Sequence, residues 1–369
     1  MKKNFYLLFL ICICISCSLD DNKKVKKLSD NTAKKVQLKS ISLFNDSILW
    51  SSKIIGFVEN RLIIESQKSD IVYAVFSYSN DTLHKEGAFG KKGQGPYEML
   101  YPNCTIDEQK KYIYLYDTQG NKTFYEINIK NFSDIYNQDA WKKIHFPEVK
   151  ELQLWRTFIS TGNNAFIGLG GIANESNMLS VIYPEKTEIT ELNVKFPEDG
   201  IDSKPLTKRL VYNNGSISKR QFTGNYFLYH CEEGEYAEII SLDSQMNVKS
   251  RKAIVNNYPI YEILPDGINL RYIRKEFNGL KSYVTDKYVY LLPFSYPREN
   301  NYKGYPKGYS DILYVYDWEG NFIQSYELDK PIATFVVNDS DSFIIAITMD
   351  NETGEFCFEK FLFPLPKEK

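Results

Sequence analysis

The segment from Phe89 to Ile129 constrains the fold most strongly, because it combines a glycine-rich crossing with a β-hairpin. Gly90, Gly93, Gly95 and Pro96 form the crossing. Glycine adopts positive φ without steric cost and proline presets φ at about −65°, so this stretch turns sharply. Two β-prone runs follow, at 112–116 and 123–129, with a polar turn at 117–121 between them. Short runs of this kind separated by glycine-containing turns predict an all-β protein.

The rest of the chain repeats this alternation. From Leu38 onward, short apolar or aromatic runs are separated by Asn, Asp, Gly and Ser, and no long stretch has a helical period. The 28 Tyr, 23 Phe and 4 Trp favour strands over helices. The net charge of −2 shows no basic excess of the kind that phosphate binding needs, so nucleic acid is not an expected partner.

A weak internal repeat favours a propeller over a sandwich. The run Tyr112–Asp117 and its Gly120-Asn121 turn resemble Leu313–Asp317 and its Gly320-Asn321 turn. Propeller blades of four strands use roughly 40 to 50 residues. Residues 38–369 therefore suit six or seven four-stranded antiparallel blades, and long loops favour six. A two-sheet sandwich is the alternative, but it leaves the repeated turn unexplained and rarely needs so many strands.

The same segment resembles an NHL-type propeller repeat, which has a Phe-Gly start, a glycine-rich crossing, a proline, and a hairpin with Asp and Asn in its turn. The matching residues are Phe89, Gly90, Gly93, Gly95, Pro96, Pro102, Asp117 and Asn121. Tyr97 replaces the last glycine of the pattern and Met99 replaces an aromatic residue. The whole chain is similar to the TolB-like six-bladed propeller lipoproteins of Gram-negative bacteria. This resemblance implies a fold and a place in the cell envelope, but no defined activity.

The N-terminus resembles a bacterial lipoprotein signal. Lys2 and Lys3 precede the apolar run Phe5–Ile15, and Ser16 precedes Cys17. We therefore expect a signal peptide at 1–16, lipidation of Cys17, a solvated flexible tether at 17–37 and a propeller domain at 38–369. An ordinary secretory signal or an uncleaved anchor is the alternative, and Cys14 departs from the usual leucine.

These features predict a protein held in the outer membrane by its lipid. Asp20-Asp21 resembles the export signal that sends some lipoproteins to the outer face of that membrane, whereas a polar spacer facing the periplasm fits the composition equally well.

Catalytic motifs are missing from the sequence. The three histidines, His84, His145 and His230, have no ligand-spaced neighbours, and no Gly-x-Ser-x-Gly, His-Glu-x-x-His or phosphate-binding loop occurs. We therefore predict no cofactor, no metal and no catalytic residue. Acids gathered from separate blades could still meet at the axis, so an exported enzyme acting on a sugar or lactone, with acids or a divalent metal, remains the alternative.

The best predicted contact surface is the loop around residues 295–310. Its tyrosines offer apolar rings with hydroxyls, which suit recognition of sugars and proteins. The predicted contact residues are Tyr296, Arg298, Tyr302, Tyr305 and Tyr309. A long tolerated insertion explains the loop equally well.

The sequence as a whole predicts a lipid-anchored, non-catalytic binding or scaffolding module for a protein, peptide or glycan. A purely structural envelope protein without a small ligand is a third possibility.

Overall fold

The structure is a computed structural model, and it describes residues 26–31, 35–45, 53–66, 70–107, 109–117, 120, 123–146, 157–162, 165–170, 177–184, 186, 189–273, 276–297 and 308–364. In chain order its strands are β1 (Val36–Leu38), β2 (Ser40–Asn45), β3 (Ile54–Val58), β4 (Arg61–Glu65), β5 (Ile71–Ser79), β6 (Thr82–Lys92), β7 (Glu98–Met99), β8 (Asn103–Ile106), β9 (Tyr112–Asp117), β10 (Thr123–Asn128), β11 (Lys142–Lys143), β12 (Thr157–Ser160), β13 (Phe166–Leu169), β14 (Leu179–Ile182), β15 (Ile189–Glu191), β16 (Gly215–Lys219), β17 (Tyr226–Cys231), β18 (Glu235–Leu242), β19 (Val248–Asn257), β20 (Tyr261–Ile263), β21 (Leu270–Tyr272), β22 (Glu276–Val284), β23 (Tyr288–Pro297), β24 (Ser310–Asp317), β25 (Phe322–Ile332), β26 (Thr334–Val337), β27 (Phe343–Met349) and β28 (Phe356–Leu362).

These strands form six antiparallel blades. Blades 1 to 5 are β3–β6, β8–β11, β12–β15, β16–β19 and β22–β25, and blade 6 is β26–β28 completed by β2. The first strand of each blade contacts the first strand of the next, from β3 through β8, β12, β16, β22 and β26 back to β3. This closed ring makes the molecule a six-bladed propeller, as the sequence predicts, and it places the six first strands around the axis.

The ring is closed by pairing the two ends of the chain. Strand β2 runs antiparallel to β28, with Ser40 opposite Phe361 and Leu43 opposite Phe358. Leu43 and Phe358 are both buried, and Phe358 packs edge-on against Phe76 of blade 1. The N-terminal strand and the last strand of the chain therefore close the ring together. Pairing of this kind removes the exposed edge of blade 6.

The N-terminal segment corrects the predicted tether at 17–37. Residues 26–31 lie against blades 4 and 5, and Leu28, at the start of a 3-10 turn (Leu28–Asp30), is 2% exposed in a cluster with Tyr316 and Trp318. Strand β1 then pairs in parallel with β25 as a fifth strand of blade 5. A buried leucine stabilises docking, so this part of the segment is packed against the propeller rather than solvated. The remainder of the predicted tether lies outside the described residues.

We expect the replacement Leu28→Ala to release this segment, at a cost of about 2 kcal/mol for the lost apolar contacts. The amide of Asn256 reports on the docking, because it donates a 3.0 Å hydrogen bond to the carbonyl of Lys26. Hydrogen exchange at Asn256 should become faster in the variant. Ser29→Ala is the matched control, because Ser29 is exposed in the same turn. Equal exchange rates in both variants would contradict the docking.

Helix and loop insertions connect blades 3, 4 and 5. Helix α1 (Pro205–Tyr212) precedes β16, and the β20–β21 hairpin follows β19. The hydroxyls of Tyr212 and Tyr261 each donate a 2.8 Å hydrogen bond to the buried carboxylate of Asp199, which also pairs with Lys208. Thr207 donates to the carbonyl of Ile268. These contacts join 195–213 and 258–273 into one unit, which we call the lobe. Two further 3-10 turns occur in blade 2, at Phe132–Tyr136 and Gln138–Ala140.

The crossing between blades 1 and 2 has the tight geometry that its glycines predict. Gly90 has a φ of +73°, and a Cβ there would lie 2.8 Å from the Tyr73 ring, so only glycine fits without strain. The carboxylate of Asp117 accepts hydrogen bonds from the amides of Leu100 and Tyr101, at 2.8 and 3.1 Å, and from Gly120. Asp117 therefore ties the crossing to the hairpin turn.

Within the described ranges, no helix has the length and apolar character needed to cross a bilayer.

Candidate functional site

The two ends of the propeller differ in what they carry. Because strands in a blade alternate in direction, the turns between first and second strands and between third and fourth strands lie at one end. We call this end the turn face. The connections between blades, and the turns between second and third strands, lie at the other end, which we call the connection face. The lobe belongs to the connection face.

A cavity of about 210 Å³ follows the axis of the propeller. Its lining is largely apolar or hydroxyl-bearing, and the residues include Ile54, Ile106, Ile159, Ile217, Tyr283, Val284, Thr105, Ser160, Ser218 and Ser282. Asp107 is the only acid among the described lining residues. Its carboxylate accepts hydrogen bonds from the backbone amides of Lys111 and Tyr112, at 2.6 and 2.7 Å. The carboxylate is therefore engaged in holding the β8–β9 turn.

The described part of the lining contains one acid, whereas the enzyme alternative calls for several acids or a metal ion at the axis. In the described part of the chain, no group of three or more His, Cys, Asp or Glu side chains is arranged to hold a metal ion. The two lysines at the cavity are engaged in bonds between blades. Lys110 donates to the carbonyl of Phe57 and pairs with Asp339, and Lys219 donates to the carbonyl of Thr161.

One hydroxyl–imidazole pair between blades 4 and 5 has the composition of a catalytic dyad. Ser282 Oγ lies 2.9 Å from His230 Nδ1. Burial lowers the pKa of His230 to about 4, and the residue is 4% exposed. A general base is most effective when its pKa lies near the working pH, and this imidazole stays neutral and binds protons weakly. We therefore interpret the pair as a hydrogen bond that joins blades 4 and 5.

A cleft of about 610 Å³ lies on the turn face, between blades 2 and 3. Its floor is aromatic. The rings of Tyr114 and Phe166 pack edge-on at 5.1 Å, and the Tyr112 ring lies 6.3 Å from that of Tyr114. Tyr112 is half-buried, so part of its ring faces the open cleft. Asp107 and Ser160 line both this cleft and the axial cavity, so the two spaces adjoin.

The rim of the cleft is cationic. Lys111, Lys142, Lys143 and His145 line it and are exposed. Two acids also line the cleft, and Asp107 holds the β8–β9 turn. The other, Glu126, pairs with Lys142 at 3.2 Å and accepts a 3.4 Å hydrogen bond from Tyr114. Aromatic rings offer apolar area, and lysines attract carboxylates or phosphates. The cleft is thus suited to hold a ligand that combines flat apolar surfaces with negative charge.

Comparison with known proteins agrees with this architecture. Residues 218–340 match the family model described as TolB-like 6-blade propeller-like. The match begins within β16 of blade 4, covers all of blade 5 and ends after β26, the first strand of blade 6. This match and the closed ring of six blades together support a TolB-like β-propeller. The sequence resemblance of the chain to that class is therefore confirmed.

Three solved structures are similar to this TolB-like propeller at low identity. A protein from Lactobacillus plantarum is 12% identical, with a TM-score of 0.41, over 84% of this chain and 85% of that one. Hydrazine synthase from Kuenenia stuttgartiensis is 11% identical, with a TM-score of 0.39, over 89% and 97%. Raptor from Chaetomium thermophilum is 12% identical, with a TM-score of 0.45, over 89% and 29%. No curated protein matches the chain.

The predicted contact loop of the TolB-like propeller is described only in part. Cys17, Arg298, Tyr302 and Tyr305 lie outside the described residues, and so does the side chain of Tyr296, whose backbone lies on β23. The loop therefore remains a prediction.

The end of that loop is fixed to the propeller. Tyr309 is 4% exposed and packs with Ala333 and Met349, so it is placed for packing rather than for surface contact. Lys281 donates to the carbonyls of Gly308 and Ala333, at 3.0 and 2.5 Å, and burial lowers its pKa to about 8.

The cleft residues of the TolB-like propeller were not selected from the sequence. The alternation Tyr112-x-Tyr114 and the pair Lys142-Lys143 were visible, but nothing in their spacing indicates that two blades bring them together. His145 reads as an isolated surface histidine in the sequence, and it lies at the rim of the cleft.

Proposed function

We propose that this propeller is a lipid-anchored, non-catalytic binding module of the cell envelope that holds an acidic glycan in the cleft between blades 2 and 3. The cleft carries the proposal, because it combines a ring floor with a lysine rim. The Cys17 motif supports the anchor, and the outer membrane is the proposed location. The lining of the axial cavity gives no comparable support to the enzyme alternative.

The ligand class follows from the two halves of the cleft. Sugar rings have apolar faces that pack on aromatic side chains, as the exposed part of Tyr112 allows. Lys142 and Lys143 are exposed on the short outer strand β11, where they can reach carboxylates on the same ligand. Loops at one end of a rigid scaffold commonly carry binding residues, and here the β8–β9 turn and β11 supply them.

The test is titration of the purified protein with an acidic oligosaccharide, oligogalacturonate, and with a neutral one of equal length. We expect only the acidic one to bind. The double variant Lys142→Ala with Lys143→Ala should weaken binding about tenfold, since two exposed charge contacts together contribute up to roughly 2 kcal/mol. Lys249→Ala, which removes an exposed lysine from β19 of blade 4, is the charge-matched control.

Three outcomes would contradict the proposal. Equal binding of the neutral oligosaccharide would show that the lysines of the rim do not select an acidic ligand. Binding of an acidic peptide without binding of either sugar would replace the glycan with a protein partner. Equal weakening by the Lys249 variant would show that general charge, rather than the cleft, holds the ligand.

A further inference from the structure

The lobe exposes aliphatic side chains on the connection face. Ile260 is 66% exposed, Ile273 is 52% exposed and Leu210 of helix α1 is 43% exposed. Ile260 and Ile273 are neighbours, because the amide of Ile273 donates a 2.9 Å hydrogen bond to the carbonyl of Ile260. Scattered exposed aliphatics are ordinary on a protein surface, but an adjacent pair on a projecting unit indicates a contact.

The lobe is also rigid, which suits a contact role. Tyr212 and Tyr261, which hold the Asp199 carboxylate, are both buried, and they belong to the core cluster shared by blades 3 and 4. The lobe is therefore an extension of the propeller core rather than a free loop.

The N-terminal segment meets the propeller directly beside this lobe. Lys26 is bonded to Asn256 in both directions, since its carbonyl accepts from the Asn256 amide and its own amide donates to the Asn256 side chain. Asn256 lies near the end of β19, at the connection face, two residues before the lobe resumes at Tyr258. Lys26 itself is therefore held at the connection face.

We propose that the lobe lies against the lipid bilayer, with Ile260 and Ile273 in contact with it. This inference rests on the proposed lipid anchor at Cys17. Only eight residues, Ser18 to Val25, separate Cys17 from Lys26, and fully extended they span at most roughly 28 Å. The membrane is thus held within reach of the connection face. Aliphatic side chains that leave water for the acyl boundary stabilise such a contact.

The geometry has a direct consequence for the cleft. The cleft is lined by the β8–β9 turn, by Gly162 after β12 and by Pro184 after β14, all of which belong to the turn face. With the lobe on the membrane, the cleft faces away from it. A ligand can then approach the cleft from the aqueous side.

The test uses the full lipidated protein anchored in vesicles of phosphatidylethanolamine and phosphatidylglycerol. An environment-sensitive fluorophore is attached at Ile260→Cys or Ile273→Cys, in a background with Cys104→Ala and Cys357→Ala. Phe222→Cys is the matched control, because Phe222 is 48% exposed in the β16–β17 turn, on the turn face. We expect the fluorescence emission of the labels at 260 and 273 to shift to shorter wavelength and to be quenched by doxyl-labelled lipid. The label at 222 should keep the emission that it has in water.

Flotation of the same samples separates the two proposals. Suppose that the protein floats with the vesicles, but the labels at 260 and 273 have the same aqueous emission as the label at 222. The lipid anchor is then supported, and the inference about the lobe is overturned. If the protein does not float, the anchor fails and the inference fails with it. If the label at 222 alone is quenched, the propeller has the opposite orientation. Binding of oligogalacturonate is measured separately and depends on neither result.

Discussion

The replacement Phe358→Ala is expected to lower the free energy of unfolding by about 4 kcal/mol, the usual range for emptying a large buried aromatic site. Phe358 is fully buried on β28, between the closing strand β2 and its neighbour β27. Its ring packs against Phe76 of blade 1 at 5.7 Å. The substitution therefore removes packing between blades 6 and 1, where the ring closes, as well as packing within the core of blade 6. Urea unfolding followed by tryptophan fluorescence measures it.

Leu362→Ala is the control for this prediction. Leu362 lies on the same strand and is 50% exposed, so its truncation should change the unfolding free energy by no more than about 0.5 kcal/mol. Similar losses in both variants would mean that β28 is sensitive to any substitution. A loss for Phe358→Ala as small as that for Leu362→Ala would mean that the seam contributes little to stability.

The replacement Arg251→Ala is expected to cost about 3 kcal/mol at neutral pH, because it leaves a buried carboxylate without its partner. Glu238 is 2% exposed, and Arg251 donates to both of its oxygens, at 2.8 and 2.9 Å. The pair joins β18 to β19 in blade 4. Thermal or urea unfolding of the two proteins at several pH values measures the difference.

The pH dependence of this loss has a defined sign. Burial raises the pKa of Glu238 above its ordinary value of 4.5, and hydrogen bonds from Arg251 oppose that rise. Without Arg251 the folded-state pKa rises further. A raised folded-state pKa favours folding at pH values below 4.5, and this contribution is lost as the pH rises through the folded-state pKa. The difference between variant and wild type should therefore shrink as the pH falls toward 4.5.

An exposed ion pair provides the control. Arg271 pairs with Glu262 on the β20–β21 hairpin, and its side chain is 72% exposed. Arg271→Ala should cost less than about 1 kcal/mol, because exposed pairs are solvated and screened. An equal cost for the two arginine variants, or a loss for Arg251→Ala that is constant with pH, would contradict the role assigned to the buried carboxylate.

The middle strands of the blades could be predicted from the sequence, because their residues are apolar or aromatic throughout. The predicted run at 112–116 lies within β9, and the predicted run at 123–129 contains β10. Such strands are covered on both faces by neighbouring blades, which explains their near-continuous hydrophobicity.

The first strands of most blades were not predicted, and their position explains why. Strands β12 and β16 have the sequences TFIS and GSISK, in which Ser, Thr, Gly and Lys interrupt the apolar pattern. Ser160, Ser218 and Lys219 border the axial cavity, so these positions do not need to be hydrophobic. Helix α1 was also missed, because its eight residues are too few to show a helical period.

The internal repeat proved to be a repeat of a turn rather than of a blade. The hairpin at 112–128 joins the second and third strands of blade 2, whereas that at 310–332 joins the third and fourth strands of blade 5. In both, an aspartate organises the turn, since Asp117 accepts from Gly120 and Asp317 accepts from Asn321. The motif is therefore a tight-turn motif. It indicates that strands lie on both sides of the turn, but not which strands of the blade they are.

The order in which the N-terminal chain meets the propeller also determines how it carries mechanical load. From its N-terminal end it contacts blades 4 and 5 through residues 26–31, pairs with blade 5 through β1 and then completes blade 6 through β2. A pull on the N-terminus acts first on the Leu28 contact and next on three residues of β1. The closing strand is loaded last. The contacts of Leu28 and β1 can therefore detach and rebind under tension while the ring remains closed.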